Sequence, residues 1–310
     1  VDGPTDLLRY GDIAMYRAKE REGTTYHVFD ARSDSEATRR LHHENELREA
    51  LDLDQLRVHY QPIVALESGE IRGAEALVRW EHPERGVLKP TDFIPLAEET
   101  GLIVPLGDWI LRETTRQVSA WKKRFAAPEG FSLSVNLSPY QFREPDLLRQ
   151  AARVLKQSGL SPHDLQLEIT ESMVIQGKAK IEELADLGLR VAIDDFGTGY
   201  SSLNYLKRLK VDSLKIDRSF VDGLGRDEDD DAIVRTILLL AERLELEVIA
   251  EGVETREQLQ HLVDVGCELG QGYYFARPVD APEFEGLLRR NREDRPPMPS
   301  AAGDSVETQG

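Results

Sequence analysis

Apolar positions along this 310-residue chain follow two alternating periods. The runs LRVHYQPIVAL, IRGAEALVRW, FSLSVNLS, LQLEIT, VAIDDF, DSLKID, EVIAEG and GYYFA have the length and composition of strands. Amphipathic stretches such as AIVRTILLLAERL separate the later ones and carry the spacing of helices. Strands alternating with helices specify βαβ units and a parallel sheet. Only Glu67-Ser68-Gly69-Glu70 joins the first two strands, too little for a crossover helix, so they form an antiparallel hairpin. Eight candidate strands over about 240 residues point to an α/β fold, a (β/α)8 TIM-like barrel with one antiparallel strand at its start. The alternative is an open doubly wound sheet, but no dinucleotide-type glycine fingerprint follows the first strand.

The flanks read differently. Residues 1–30 hold one helical pattern (LLRYGDIAMYRAKEREG) and one short strand (TTYHVFD), too little for a domain. Residues 31–46 read as a charged connecting helix, residues 47–290 as the barrel, and residues 291–310, without large apolar side chains, as a disordered tail. The chain begins without methionine and in mid-pattern, which reads as a piece of a longer protein. The run Asp227 to Asp231 complements the dipole of the helix it precedes.

Charge narrows the partners. With 39 basic and 57 acidic side chains the net charge is −18, which argues against a nucleic-acid duplex or an anionic membrane as the main partner. A small phosphate ligand stays open, because bound divalent cations invert the local potential. Cys267 is the only cysteine, so there is no intrachain disulfide and no thiolate cluster, which fits a reducing, cytoplasmic setting. No run is apolar and long enough to span a bilayer; membrane attachment would have to come from upstream sequence.

The strand ends carry the chemistry. Glu75 stands near the end of the second strand, Asn136 ends the third, and Glu168 is near the end of the fourth. Asp194 and Asp195 end the fifth, Lys215 and Asp217 the sixth and Glu251 the seventh, while Gln271 opens the last. In a (β/α) barrel the C-terminal strand ends form one rim, so these residues converge. Each alone reads equally as a cap or a solvated side chain; VAIDDF could be one capping and one solvated aspartate. Together they form a set of hard oxygen donors, without histidine or thiolate, that selects Mg2+ or Mn2+, with Ca2+ held in looser geometry. Adjacent Asp194 and Asp195 could serve two ions, the apparatus of phosphoester hydrolysis. Lys215 is either an ion-pair partner or a group acting on the attacking water. Arg79, four residues after Glu75 on the same strand face, could grip a phosphate.

These strings together, YQPIV, EALVRW, SVNLS, EITES, DDFGTGYSSL, KIDRSF, AEGVE and QGYYFARP, resemble the EAL family of bacterial cyclic-di-GMP phosphodiesterases from about Leu47 to Arg290. Residues 1–30 resemble the last part of a GGDEF domain, without its signature loop. The resemblance implies hydrolysis of cyclic di-GMP to linear 5'-pGpG; a non-catalytic receptor for the nucleotide is the alternative. It implies metal ligation by Glu75, Asn136, Glu168, Asp194, Asp195 and Glu251, and action of Lys215 on the nucleophilic water. It also implies substrate contacts by Gln61, Leu77 and Arg79, with Asp217, Glu254 and Gln271 in support. Glu171 would tether the loop after Asp195 and couple it to a homodimer contact. Ca2+ is expected to inhibit.

Overall fold

A computed structural model describes residues 31–125, 130–198, 206–207 and 209–293, with Met15. The readings of residues 1–30 and of the tail from 294 onward fall outside these described residues. The chain divides into two compact units, Val1–Leu56 with Trp80–Ile103, and Arg57–Arg79 with Val104–Gly310.

The larger unit is built on β1 (Leu56–Ala65), β2 (Ile71–His82), β4 (Ser132–Asn136), β5 (Leu165–Thr170), β6 (Arg190–Phe196), β7 (Ser213–Ile216), β8 (Glu247–Ala250) and β9 (Leu269–Gly270); the short β3 (Gly86–Leu88) belongs to the smaller unit. Neighbours follow β1-β9-β8-β7-β6-β5-β4-β2, and a β1–β2 pairing closes the ring. β2 and β4 through β9 pair in parallel, whereas β1 runs antiparallel to β9, with Val64 opposite Gly270. The expected barrel with one reversed strand is therefore present. Its hairpin is tight: Gly69 takes a φ of 71°, and the Ala65 amide donates to the Glu70 carbonyl at 2.8 Å.

Parallel strands covered on both faces read as nearly continuous apolar runs. Leu165 to Ile169 and Ser213 to Ile216 are buried throughout, although Gln166, Glu168, Ser213 and Lys215 interrupt their apolar runs. Outside the ring, the Tyr60 ring meets Trp121 edge-on at 4.7 Å, and Trp121 stacks on Phe284 at 4.9 Å.

The last strand differs from expectation. GYYFA is not a strand: residues 272–275 form a turn, with Tyr273 and Tyr274 exposed, and the strand is the preceding Leu269–Gly270. The final helix, Ala281–Glu293, also continues past residue 290. Asn291 explains why: its side chain accepts from the Ile71 amide at 3.0 Å and donates to the Gly69 carbonyl at 2.6 Å, locking the hairpin.

The smaller unit holds the helix Ala31–Asp52, the end of β2, β3 and the helix Pro90–Thr100. Trp80 anchors it, donating from Nε1 to Gln55 Oε1 at 3.1 Å and meeting Phe93 edge-on at 5.7 Å. Glu46 on the long helix faces His82 Nε2 at 3.1 Å and accepts from Arg85 at 3.2 Å.

Candidate active site

The parallel register lays the expected residues at one end of the barrel. Glu75 lies on β2, Asn136 ends β4, Glu168 lies on β5, Asp194 and Asp195 on β6 and Lys215 on β7; Glu251 and Gln271 directly follow β8 and β9. Displacing the last strand to Leu269–Gly270 moves Gln271 from its beginning to just beyond its end, and so onto the same rim as the others.

Lys215 is the centre. It is 1% exposed, and its Nζ lies 2.6 Å from Glu251, 2.8 Å from Glu168, 3.3 Å from Asp194 and 3.5 Å from Glu75. One ammonium thus faces four carboxylates in a site that excludes most water. Burial alone would lower the lysine pKa, but these carboxylates drive it well above its usual value. Burial raises Glu168 well above the ordinary carboxylate range, with Glu75 and Asp194 adding to it against Lys215. Burial also raises Glu251, to about 7, helped by Asp194 and Glu75. Glu75 goes the other way: burial favours its proton, yet Lys215 and the amides of Gln271 and Asn136 outweigh it and hold the pKa below the usual value.

Those amides brace both oxygens of Glu75. Asn136 Nδ2 donates to Oε1 at 2.5 Å, and Gln271 Nε2 donates to Oε2 at 2.6 Å. Opposite them, the β6–β7 register shifts between Ile193 and Phe196. Asp195 there adopts a φ of 53°, a left-handed conformation uncommon outside glycine, and the shift re-aims its side chain. As a result Asp194, Asp195 and Glu251 each offer an oxygen within 4.8 Å of one another. Glu168 Oε1 and Gln271 Oε1 are buried without a hydrogen-bond partner among the described residues. Excess carboxylate, orphaned oxygens and hard donors fit a hard divalent cation.

Protons and such a cation compete for these oxygens. A carboxylate raised to about 7 must lose its proton before it can ligate. Mn2+ affinity is therefore expected to rise with pH through the neutral range, by about tenfold per unit for each proton displaced. Calorimetric titrations between pH 5.5 and 8.5 check this; a flat profile contradicts it.

A cleft opens beside the carboxylates, lined by Gln61, Leu77, Arg218, Glu254 and Tyr273 as well as the rim. Arg218 is absent from the expected set, although it follows β7 by two residues, the signal that could have found it. Its stem crosses Gly252, where an added Cβ would lie 2.4 Å from Arg218 Cγ, and its guanidinium pairs with Glu254 at 3.0 Å. Tyr273 was hidden by reading GYYFA as a strand; Arg277 lies over its ring at 4.2 Å. Of the remaining expected residues, Arg79 is half-buried and donates to the Val78 carbonyl at 2.9 Å. Asp217 caps the helix Arg218–Gly223, accepting from the Ser219 amide at 3.0 Å, and makes no contact with Lys215. Glu171 is buried at the start of the helix Glu171–Gln176. Of the loop it was expected to tether, 196–202, residues 199–202 lie outside the described residues.

Known proteins resemble this chain in sequence and fold. Residues 44–278 match the model of the EAL domain family. The chain is 42% identical over 289 residues to the bifunctional diguanylate cyclase/cyclic di-GMP phosphodiesterase MucR of Pseudomonas aeruginosa, covering 91% of this chain and 42% of MucR. It is 39% identical over 292 residues to the cyclic di-GMP phosphodiesterase PdeR of Escherichia coli, covering 92% of this chain and 43% of PdeR. The chain thus spans less than half the length of these two relatives. Among solved structures, the PaMucR phosphodiesterase in complex with c-di-GMP superposes with a TM-score of 0.75 at 44% identity, over 79% of this chain and 99% of that one. Family model, sequence identity and fold agree: this chain belongs to the EAL domain family.

Proposed function

We propose that this chain is a metal-dependent phosphodiesterase that opens cyclic di-GMP to linear 5'-pGpG. The observation that carries this reading is Lys215, buried among Glu75, Glu168, Asp194 and Glu251 beside an open cleft. A purely structural ion pair needs one carboxylate; four around one ammonium leave negative charge for further cations. Asp194, Asp195, Glu251, Glu168, Glu75 and Asn136 would hold Mg2+ or Mn2+, as two ions. When bound, such ions lower the pKa of a water and neutralise the oxygen that leaves phosphorus.

The chain's own residues do the rest. Lys215, buried among the carboxylates, acts on the attacking water and stabilises the charge that develops in the reaction. The Asn136 and Gln271 amides hold Glu75 ionised and fixed. Arg79, from the same strand as Glu75, grips a phosphate. Residues 1–30 are read as the end of a GGDEF domain, and no synthesis of cyclic di-GMP from GTP is expected. Glu171 and the segment after Asp195 are read as the link to a homodimer contact.

Incubating the chain with cyclic di-GMP and Mg2+, then separating nucleotides by chromatography, tests the reading: pGpG is expected, and intact nucleotide after long incubation contradicts it. Arg79→Ala is expected to weaken nucleotide binding about tenfold or more, since a guanidinium–phosphate contact is charge-assisted and bidentate. Calorimetry in Ca2+ checks this, and unchanged affinity removes Arg79 from the phosphate.

A further inference from the structure

The Gln61 and Gln271 amides in the bowl are linked in series to one backbone carbonyl. A carbonyl oxygen only accepts, so the Gln61 atom that faces the Ala276 carbonyl at 3.0 Å must be its Nε2. Gln61 Oε1 then faces Gln271, which must offer Nε2, and does so at 3.0 Å. The second hydrogen of that same Nε2 goes to Glu75 Oε2 at 2.6 Å. Gln271 Oε1 is thereby turned away from Glu75, buried and without a hydrogen-bond partner among the described residues. The Ala276 carbonyl is itself held in place. Tyr60 and Val279 exchange two backbone hydrogen bonds, at 2.7 and 3.0 Å, which lay this segment beside β1, where Gln61 follows Tyr60.

We infer that Gln61 is a positioning residue of the cation site rather than a substrate contact: anchored on the Ala276 carbonyl, it fixes the Gln271 amide jointly with Glu75, so that Gln271 braces Glu75 with its NH2 and presents its oxygen to a cation and the water around it. Gln61 lines the cleft, yet it is only 7% exposed and both ends of its amide are already engaged. Without it, Gln271 Nε2 keeps only Glu75 as an acceptor, and the amide is held at one point instead of two. Groups that orient a ligand in this way commonly change metal affinity by about ten- to a hundredfold.

This rests on the metal reading but not on the identity of the substrate, so the test uses Mn2+ on nucleotide-free protein. Mn2+ is titrated by calorimetry into the wild type, Gln61→Met, Gln271→Met and the double variant. Gln61→Met is expected to lose about tenfold in Mn2+ affinity. If Gln61 acts through Gln271, the double variant loses no more than the larger single loss. Cyclic di-GMP affinity of Gln61→Met in Ca2+ is expected to stay within about threefold of the wild type, since no substrate contact is removed. Losses of Mn2+ affinity that multiply in the double variant overturn the inference. So does unchanged Mn2+ affinity together with a tenfold loss of nucleotide affinity. Gln61→Leu, which also lacks the acceptor for Gln271, is expected to lose Mn2+ affinity as Gln61→Met does, which keeps the test open if Gln61→Met does not fold. Unchanged Mn2+ affinity in Gln61→Leu also overturns the inference.

Discussion

Lys215→Ala is expected to lose turnover by on the order of 10²–10⁴-fold while cyclic di-GMP still binds in Ca2+. The ammonium lies among oxygens at the deep side of the cleft, so its contribution falls on the reacting centre and not on ground-state binding. Stability should respond as well. Removing the cation of a buried charge cluster leaves Glu168, Glu251, Asp194 and Glu75 facing one another, a loss of about 3–5 kcal/mol. Part of that loss is avoided by protonation. A divalent cation replaces the missing charge, so Mg2+ should raise the melting temperature of Lys215→Ala more than that of the wild type. Melting curves with and without Mg2+, alongside saturation kinetics, check both halves. Normal turnover at saturation with weakened nucleotide binding would make Lys215 a binding residue only.

Metal removal is expected to have an effect at least as large. With excess chelator, hydrolysis should stop, and either Mg2+ or Mn2+ should restore it. The chain's carboxylates cannot replace the ions, because they repel a phosphate while Lys215 is already committed to them. Ca2+ should inhibit: its larger and irregular oxygen shell does not hold the attacking and leaving oxygens in line. Rate measurements at fixed nucleotide with each cation in turn test this. Full activity in chelator contradicts the metal reading, and equal rates with Ca2+ contradict the geometric part of it.

Most of this site could be read from the sequence because a (β/α) barrel converts strand ends into one rim. Asn136, Glu168, Asp194, Lys215 and Glu251 each terminate or nearly terminate an apolar run, and their convergence follows from parallel register without any side-chain detail. Less regular features were not legible in this way. β9 is two residues long and shows no period, whereas the aromatic run after it imitates a strand; its tyrosines are exposed on a turn instead. That misplacement put Gln271 at the wrong end of its strand and concealed Tyr273 as a cleft wall. β3, at three residues, gives no periodic signal at all. Arg218 reads as an ordinary surface residue of a helix start, and only Gly252, with a φ of 73° and no Cβ to obstruct the arginine stem, places it over the cleft. The directions of hydrogen bonds also lie outside sequence patterns. Nothing in YQPIV says that Gln61 spends its amide on the Ala276 carbonyl.

The most direct test of the central claim is where water oxygen ends up. The wild-type chain, Mg2+ and cyclic di-GMP are combined in water enriched in oxygen-18 for less than one turnover, and the nucleotide is analysed by mass spectrometry. Hydrolysis at phosphorus predicts pGpG carrying one oxygen-18 atom on its 5'-phosphate and none on its sugars. Unlabelled cyclic di-GMP recovered intact, though bound, would contradict the account and leave the chain a receptor for the nucleotide rather than an enzyme that opens it.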